Sequence, residues 1–178
     1  VEPLHGTLIK SGNNFTYTPT GNYNGSDTFT LRANDGYGGI TDKTVNVTVN
    51  PVNDLPIANN QSGLTLNEDG SRSITLTGTD VETPSGSLVY TIVTNPTNGT
   101  LSGSGANRTY TPNPDYNGAD SFSFKVNDGS VDSNIATIGL DIASVNDNPV
   151  ISGSNNLSVS EDGFVVDTYT SSDVDIGD

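Results

Sequence analysis

Cysteine is absent from the 178 residues, which excludes disulfide staples, thiolate metal sites and cysteine nucleophiles together. Histidine occurs once, at His5, and tryptophan not at all, so zinc sites and Ser–His or Cys–His nucleophile systems have no material. Basic residues are scarce: 6 Lys and Arg stand against 21 Asp and Glu, a net charge of −15. Such a surface repels phosphate backbones and anionic lipid, which argues against nucleic acid and membrane-surface partners. Apolar runs are only a few residues long, so no membrane span and no direct membrane insertion is predicted. The opening Val-Glu-Pro-Leu-His-Gly lacks the basic and apolar regions of a signal peptide, and any export signal is expected outside this sequence.

What is present is a low but evenly spread hydrophobic content of 31 %, with 20 Gly, 9 Pro and abundant Thr, Asn and Ser. Low hydrophobicity with high net charge is also the signature of disorder. Regular alternation and internal repetition decide against it.

The chain repeats with a period of 93 residues. Gly6-Thr7-Leu8 returns as Gly99-Thr100-Leu101, Thr16-Tyr17-Thr18-Pro19 as Thr109-Tyr110-Thr111-Pro112, and Tyr23-Asn24-Gly25 as Tyr116-Asn117-Gly118. Asn34-Asp35-Gly36 returns as Asn127-Asp128-Gly129, Val52-Asn53-Asp54 as Val145-Asn146-Asp147, and Glu68-Asp69-Gly70 as Glu161-Asp162-Gly163. Residues 1–58 and 94–151 share 24 identities without a gap. Repetition of this kind divides the chain into a back part of one unit (1–58), a complete unit (59–151) and the front part of a third (152–178). The natural protein is expected to be longer at both ends.

Within the complete unit, Phe122, Phe124 and Val126 alternate with Ser121, Ser123 and Lys125, and Ile138, Leu140 and Ile142 alternate likewise. Leu64/Leu66, Ile74/Leu76 and Leu88/Tyr90/Ile92 add three more period-two runs, and no window shows helical spacing. The pattern predicts seven strands, A (62–66), B (73–78), C (87–93), D (99–102), E (108–112), F (120–127) and G (134–143). Seven short strands in about 93 residues, apolar on one face, define an all-β immunoglobulin-like sandwich. Its expected core is Leu64, Leu76, Leu88, Tyr90, Phe122, Phe124, Val126, Leu140 and Ile142, with Ser123 pointing outward.

Fourteen of the 21 acids form pairs 93 apart, among them Asp27/Asp120, Asp35/Asp128, Asp54/Asp147 and Asp80/Asp173. Single Asp and Asn residues favour turns for backbone reasons. Sandwich topology makes a collective reading stronger. It places Glu68, Asp69, Asp115 and Asn117 at one pole beside the exit segment Asn146-Asp147-Asn148. Asp80, Glu82 and Asp128 fall at the other pole beside Asn53-Asp54. Head-to-tail stacking would face each cluster with the next unit, where Asp173 and Asp175 wait. Five or more carboxylates at one junction need neutralisation, and an oxygen-only ligand set with flanking carbonyls suits Ca²⁺ better than Mg²⁺.

These residues carry a resemblance. Val145-Asn146-Asp147-Asn148-Pro149 resembles the inter-domain calcium linker of cadherins. Asp173-x-Asp175 and Asp80-x-Glu82 resemble the cadherin Asp-x-Asp motif after strand B, and Asn127-Asp128-Gly129 sits where cadherins have Asp-Gly after strand F. Asp115-Tyr116-Asn117 stands in place of Asp-Arg-Glu, so an acid becomes an amide. Leu55 replaces the second linker Asn, Glu82 the second Asp, and Asn22/Asn24 the acidic pair in the first fragment. The whole chain is similar to the tandem cadherin-like repeats of large bacterial surface and RTX-type adhesins. That resemblance implies cadherin-like sandwiches stacked head to tail, Ca²⁺ at the junctions and a spacer in a secreted or cell-surface adhesin, without catalysis. Its partners would be neighbouring repeats of the same chain. The alternative is a module binding polysaccharide, or identical repeats on another cell, attached to a secreted enzyme or surface protein. The outward strand residues are Ser, Thr, Asn, Lys and Arg, which speaks against an aromatic sugar-binding face. Asn98 occupies the position equivalent to His5, so His5 is expected to be a loop residue. Tyr23 and Tyr116 are expected to serve the corner before strand F and the core.

Overall fold

Period-two alternation becomes extended strand along the chain in a computed structural model, which describes residues 1–153, 158–159, 161–163 and 168–173. The chain separates into two units, Val1–Asp54 and Leu55–Asp178. In the first, β1 (Gly6–Ser11) pairs antiparallel with β2 (Asn14–Pro19), and β3 (Gly25–Asn34) with β4 (Ile40–Val49).

The second unit is a two-sheet sandwich of the immunoglobulin type. It runs β5 (Ile57–Ala58), β6 (Gln61–Asn67), β7 (Arg72–Thr75), β8 (Gly78–Thr79), β9 (Val89–Thr94), β10 (Gly99–Ser104), β11 (Asn107–Pro112), β12 (Gly118–Asn127) and β13 (Ala136–Ala143). One sheet has the order β6-β13-β12-β9 and the other β10-β11-β7. All neighbours are antiparallel except β6 and β13, which are parallel. Beyond them, β14 (Val150–Ser152) pairs antiparallel with β15 (Thr170–Ser172). Among the described residues the 3₁₀ turn Ser85–Ser87 is the only helical element, and no helix is long and apolar enough to cross a membrane.

The core forms where the inner faces meet. Leu76, Leu88, Phe122, Phe124, Val126, Leu140 and Ile142 are buried as the alternation requires, and Leu64 and Tyr90 pack half-buried against them. Tyr110, Ile74, Ala136 and Ile138 complete the cluster. Two glycines explain repeated motifs. The two-residue turn between β10 and β11 needs a positive φ, supplied by Gly105 at 58° and in the first unit by Gly12 at 61°. A side chain at Gly99 would stand 2.5 Å from the Tyr110 ring, so the Tyr lies directly over the Gly-Thr-Leu strand; Gly6 and Tyr17 repeat the arrangement.

Three expectations change in detail. Strand B is two pieces: β7 pairs with β11, whereas β8 leaves that sheet to pair with β5. Gly78 permits the switch, since a Cβ there would meet Val126 and the Ile57 carbonyl at 3.1 Å. The second unit therefore includes residues 57–58, ahead of the boundary at 59 that the period suggests. At the start of predicted strand G, Asn134 instead clasps Ala58, accepting from its N–H and donating to its carbonyl, both at 3.0 Å. Ser123 alternates with Phe122 and Phe124 as expected but is not exposed: it is buried, and its Oγ lies 2.6 Å from Thr94 Oγ1 where the β12–β9 register shifts. The neighbouring Thr94 covers this small side chain, so Ser121, which stays exposed, is the outward reference on β12.

Phe124→Ala is accordingly expected to cost about 3–5 kcal/mol. Ser121→Ala should stay within about 0.5 kcal/mol. Ser123→Ala should fall between them at about 1 kcal/mol through its lost hydrogen bond. Urea unfolding of the three variants ranks them, and equal costs at 121 and 124 would refute this packing.

Candidate functional site

The two ends of the second unit gather the acidic loops by strand geometry. At one end the 68–71 turn meets the exit of β13: the Glu68 N–H donates to the Ala143 carbonyl at 3.1 Å, and Val145 N–H donates to Glu68 Oε1 at 2.6 Å. Glu68 is only 4 % exposed. Its carboxylate thus anchors the linker. Gly118 pairs with Ile142, which brings the loop holding Asp115 and Asn117 to the same end. Asp115 takes the left-handed conformation at φ 58° and is exposed, as is Asp69. Tyr116 locks this corner by donating to the Ala119 carbonyl at 2.7 Å, and Tyr23 does so to Ser26 at 2.6 Å, the corner role expected of both. Asn146 donates to the Asp147 carbonyl at 2.8 Å and Asn53 to the Asp54 carbonyl at 2.9 Å, so both linkers make the same turn. Asp147 is half-buried and Asn148 exposed.

At the opposite end, β5 and β8 pair beside the loop that begins at Asp80, and Asn127 pairs with Val89, bringing the 80–88 and 128–135 loops to one pole. Asp80 Oδ1 accepts from the N–H groups of Glu82 at 3.2 Å and Thr83 at 2.7 Å. Asp128 Oδ1 accepts likewise from Ser130 at 2.6 Å and Val131 at 2.8 Å. In the first unit, Asp35 Oδ1 accepts from Tyr37 and Gly39, and these two N–H groups hold its carboxyl below the ordinary range. Each acid thus closes its own loop with one oxygen. Asp80 Oδ2 is buried, and among the described residues no hydrogen bond reaches it. It borders a cleft of about 330 Å³ lined by Thr79 to Ser85. A buried carboxylate oxygen without a protein donor is open to a water or a cation.

Of the other predicted ligands, Asn53 and Asp54 belong to the first unit, Asp173 follows β15, and Asp175 lies outside the described residues. Among the described residues no three His, Asp or Glu side chains gather into a metal cluster, so the expected assembly of five carboxylates is not seen within them. His5, on its loop, stacks on Tyr23 at 4.1 Å.

One acidic pair has an entirely internal role. Asp120 Oδ1 accepts from Thr97 N–H at 3.1 Å and Ser121 N–H at 2.8 Å; Oδ2 accepts from Asn98 N–H at 3.0 Å and the Tyr110 hydroxyl at 2.8 Å. Asp27 repeats this with Leu4, Thr28, His5 and Tyr17 at 2.8–3.1 Å. Burial alone would raise the Asp27 carboxyl, but the N–H groups of His5, Leu4 and Thr28 and the Tyr17 hydroxyl outweigh it and hold it at about 2. Burial and the adjacent carboxylates push both tyrosine hydroxyls up. The alternation itself is the signal for this role: Asp120 shares the inward face with Phe122 and Phe124.

An antiparallel two-sheet sandwich with a parallel first strand and acidic end loops is an immunoglobulin-class module. The chain belongs to the bacterial Ig domain family, whose model matches residues 1–48 and 53–141. No curated protein matches. Among solved structures it is similar to protocadherin ectodomains: PcdhgB3 EC1-4 at a TM-score of 0.56 and 15 % identity, over 97 % of this chain and 49 % of that one. Protocadherin gamma B2 extracellular cadherin domains 1-5 match at 0.54 and 15 %, over 95 % and 37 %. An endo-fucoidan hydrolase of glycoside hydrolase family 107 matches at 0.37 and 21 %, over 80 % and 23 %. The chain therefore spans half or less of each of these proteins. The protocadherin likeness shows a tandem cadherin-like fold; the hydrolase likeness falls too low to bear on function.

Asp27 supplies a pH signature. Its contribution to stability is fully present above its ordinary pKa of about 3.9 and is lost as pH falls through about 2. In the full chain, the stability gap between wild type and Asp27→Asn should be widest near pH 6 and shrink toward pH 2. Thermal melts across that range measure it, and a gap independent of pH would overturn the assignment.

Proposed function

We propose that the chain is a calcium-stiffened structural spacer of a long extracellular bacterial adhesin, non-catalytic, with residues 59–151 as its complete repeat. Two junctions would hold the metal. Asn53, Asp54, Asp80, Glu82 and Asp128 form the first ligand set. Glu68, Asp69, Asp115, Asn117, Asn146, Asp147, Asn148, Asp173 and Asp175 form the second. Neighbouring repeats of the same chain are the partners, and their relative orientation is what the ion would fix. The observation that carries this reading is Asp80 Oδ2, buried beside a loop cleft with no hydrogen bond reaching it among the described residues. Support also comes from the family, from acids repeated at 93-residue spacing, and from a fold similar to tandem cadherin domains. Bound calcium would supply the positive charge and the six to eight oxygen coordination that join carboxylates otherwise repelling one another.

A site with a dissociation constant near 10⁻⁴ M in about 10 mM calcium contributes about 2.7 kcal/mol. Calcium should therefore raise the melting temperature, and magnesium at the same concentration should raise it less. The second junction carries more acids, so Asp147→Ala should remove the stronger transition in a calcium titration and Asp54→Ala the weaker. Small-angle scattering should show a longer maximum dimension with calcium. Melting curves that overlay in calcium and EDTA would refute metal binding at these loops.

A further inference from the structure

Within the second unit, β9 is the outermost strand of its sheet, and among the described residues no strand lies along its far edge. The direction of its peptide groups follows from β12. Val126 donates its N–H to Ser133 Oγ at 2.9 Å and accepts from the Ser133 N–H at 2.8 Å, so its backbone groups face the β13 side. Backbone groups alternate along a strand, which turns those of Lys125 and Asn127 toward their β9 partners Thr91 and Val89. Tyr90 and Ile92 therefore present their N–H and C=O groups at the open edge. The register shift beyond Ile92 ends the regular edge there.

Nothing in the strand itself blunts this edge. β9 has no Gly, Pro or charged residue, whereas Gly63 at φ 69° interrupts β6 and Gly103 at φ 90° interrupts β10, the other long edges of the sandwich. Val89 and Thr91 are exposed on the outward face, while Tyr90 and Ile92 are half-buried on the inward one. Tyr90 stacks on Phe124 at 6.2 Å, which holds the strand in place, and borders a cleft of about 350 Å³ with Leu76 and Ala106. Charge distribution favours the same flank. In a chain of net charge −15, the outward positions of this four-stranded sheet carry only Lys125 and Asp141, one of each sign. The loop acids lie at the two ends of the module instead.

We infer that β9 pairs with β9 of a second copy of this chain, antiparallel about a two-fold axis at Thr91. What satisfies such an edge is another strand, and an edge without charge offers a foreign peptide nothing to select it by. This edge matches itself: Tyr90 of each copy exchanges both backbone bonds with Ile92 of the other, so every edge group of the two residues finds a partner. Thr91 then meets its own copy in a close, non-hydrogen-bonded pair on the outward face, and Ile92 lies against the partner's Tyr90 beside the cleft. The contact is isologous and closes at two chains. A contact this short is weak and transient, and it needs no metal. Its two-fold axis runs the chains in opposite directions, which, resting on the spacer reading above, suits chains carried by facing surfaces.

The test uses the full chain in EDTA and about 0.15 M salt, so that failure of the calcium reading leaves it untouched and self-repulsion is screened. Light scattering over a concentration series reaching about 1 mM should show the weight-average mass rising toward twice 18.5 kDa. Thr91→Asp sets two carboxylates against each other at the axis and should hold the chain at the monomer mass, with the melting transition unchanged because the side chain is exposed. Mixing Thr91→Asp with Thr91→Lys should restore association. Thr137→Asp, on the same face but two strands from the edge, should associate as the wild type does. Because the chain lacks cysteine, register can be read directly: Thr91→Cys should cross-link to its own copy under mild oxidation, and Thr137→Cys should not. A wild type that stays monomeric, a Thr91→Asp variant that associates equally well, a charge-swapped mixture that stays monomeric, or equal cross-linking at 91 and 137 would each overturn this pairing.

Discussion

A carboxylate taken out of water must find donors for both oxygens, and Asp120 finds four. Two come from Thr97 and Asn98 ahead of β10, one from Tyr110 on β11, and one from Ser121 on β12 itself. The donors span both sheets of the sandwich. Losing the carboxylate would leave three part-buried backbone N–H groups and the buried Tyr110 hydroxyl without their acceptor at once, a larger penalty than any one of those bonds is worth. Tyr110 can reach Asp120 because Gly99 leaves room beneath its ring. The same corner directs the 113–117 loop, through Tyr116, toward the exit of β13. The end of the module that carries Asp115, Asn117 and the linker is therefore positioned by an interaction that itself faces the core.

Much of this architecture was legible because two signals of different range agreed. Alternation of Phe122, Phe124 and Val126 gave the inner face, and the 93-residue recurrence gave the boundaries of the strands. Where the sequence misleads, the cause is specific. Recurrence shows that an acid matters without saying why, so Asp120 and Asp27 looked like Asp80 and Asp128, although their phase on the strand marks them as inward. Ser123 follows perfect alternation, yet contact with Thr94 of β9 leaves it buried; cover from a partner strand leaves no trace in the run itself. The break in strand B is set by the close approach of Gly78 to Val126, a contact between residues 48 positions apart.

The turn role and the ligand role of the end-loop acids are often weighed as rivals, but the carboxylate geometry makes them compatible. Asp80 spends Oδ1 on the N–H groups of Glu82 and Thr83 and keeps Oδ2 for something else. An oxygen oriented by a closed loop loses little further freedom when it meets an ion, which is the meaning of preorganisation at such a site. Glu68 works the other way, with its Oε1 tied to the linker N–H of Val145, so that its position and the linker's become one variable. Acids that shape loops and acids that would bind metal are thus drawn from one set.

The first unit separates what packing contributes from what local bonding contributes. It has the clamp of Asp27 with distances matching those of Asp120, and the register of β1–β2 matches that of β10–β11 residue for residue. Strands equivalent to β6, β7 and β9 are not present in Val1–Asp54, and the positions they would cover are half-exposed. Hairpin ladders and the carboxylate clamp therefore have the same local geometry in both units. In the second unit β6 and β7 add burial of the apolar face, at roughly 25 cal/mol per Å². With 31 % hydrophobic residues the chain has little apolar surface to spare. Its fold thus relies on polar locks for geometry and concentrates its limited apolar surface between the two sheets.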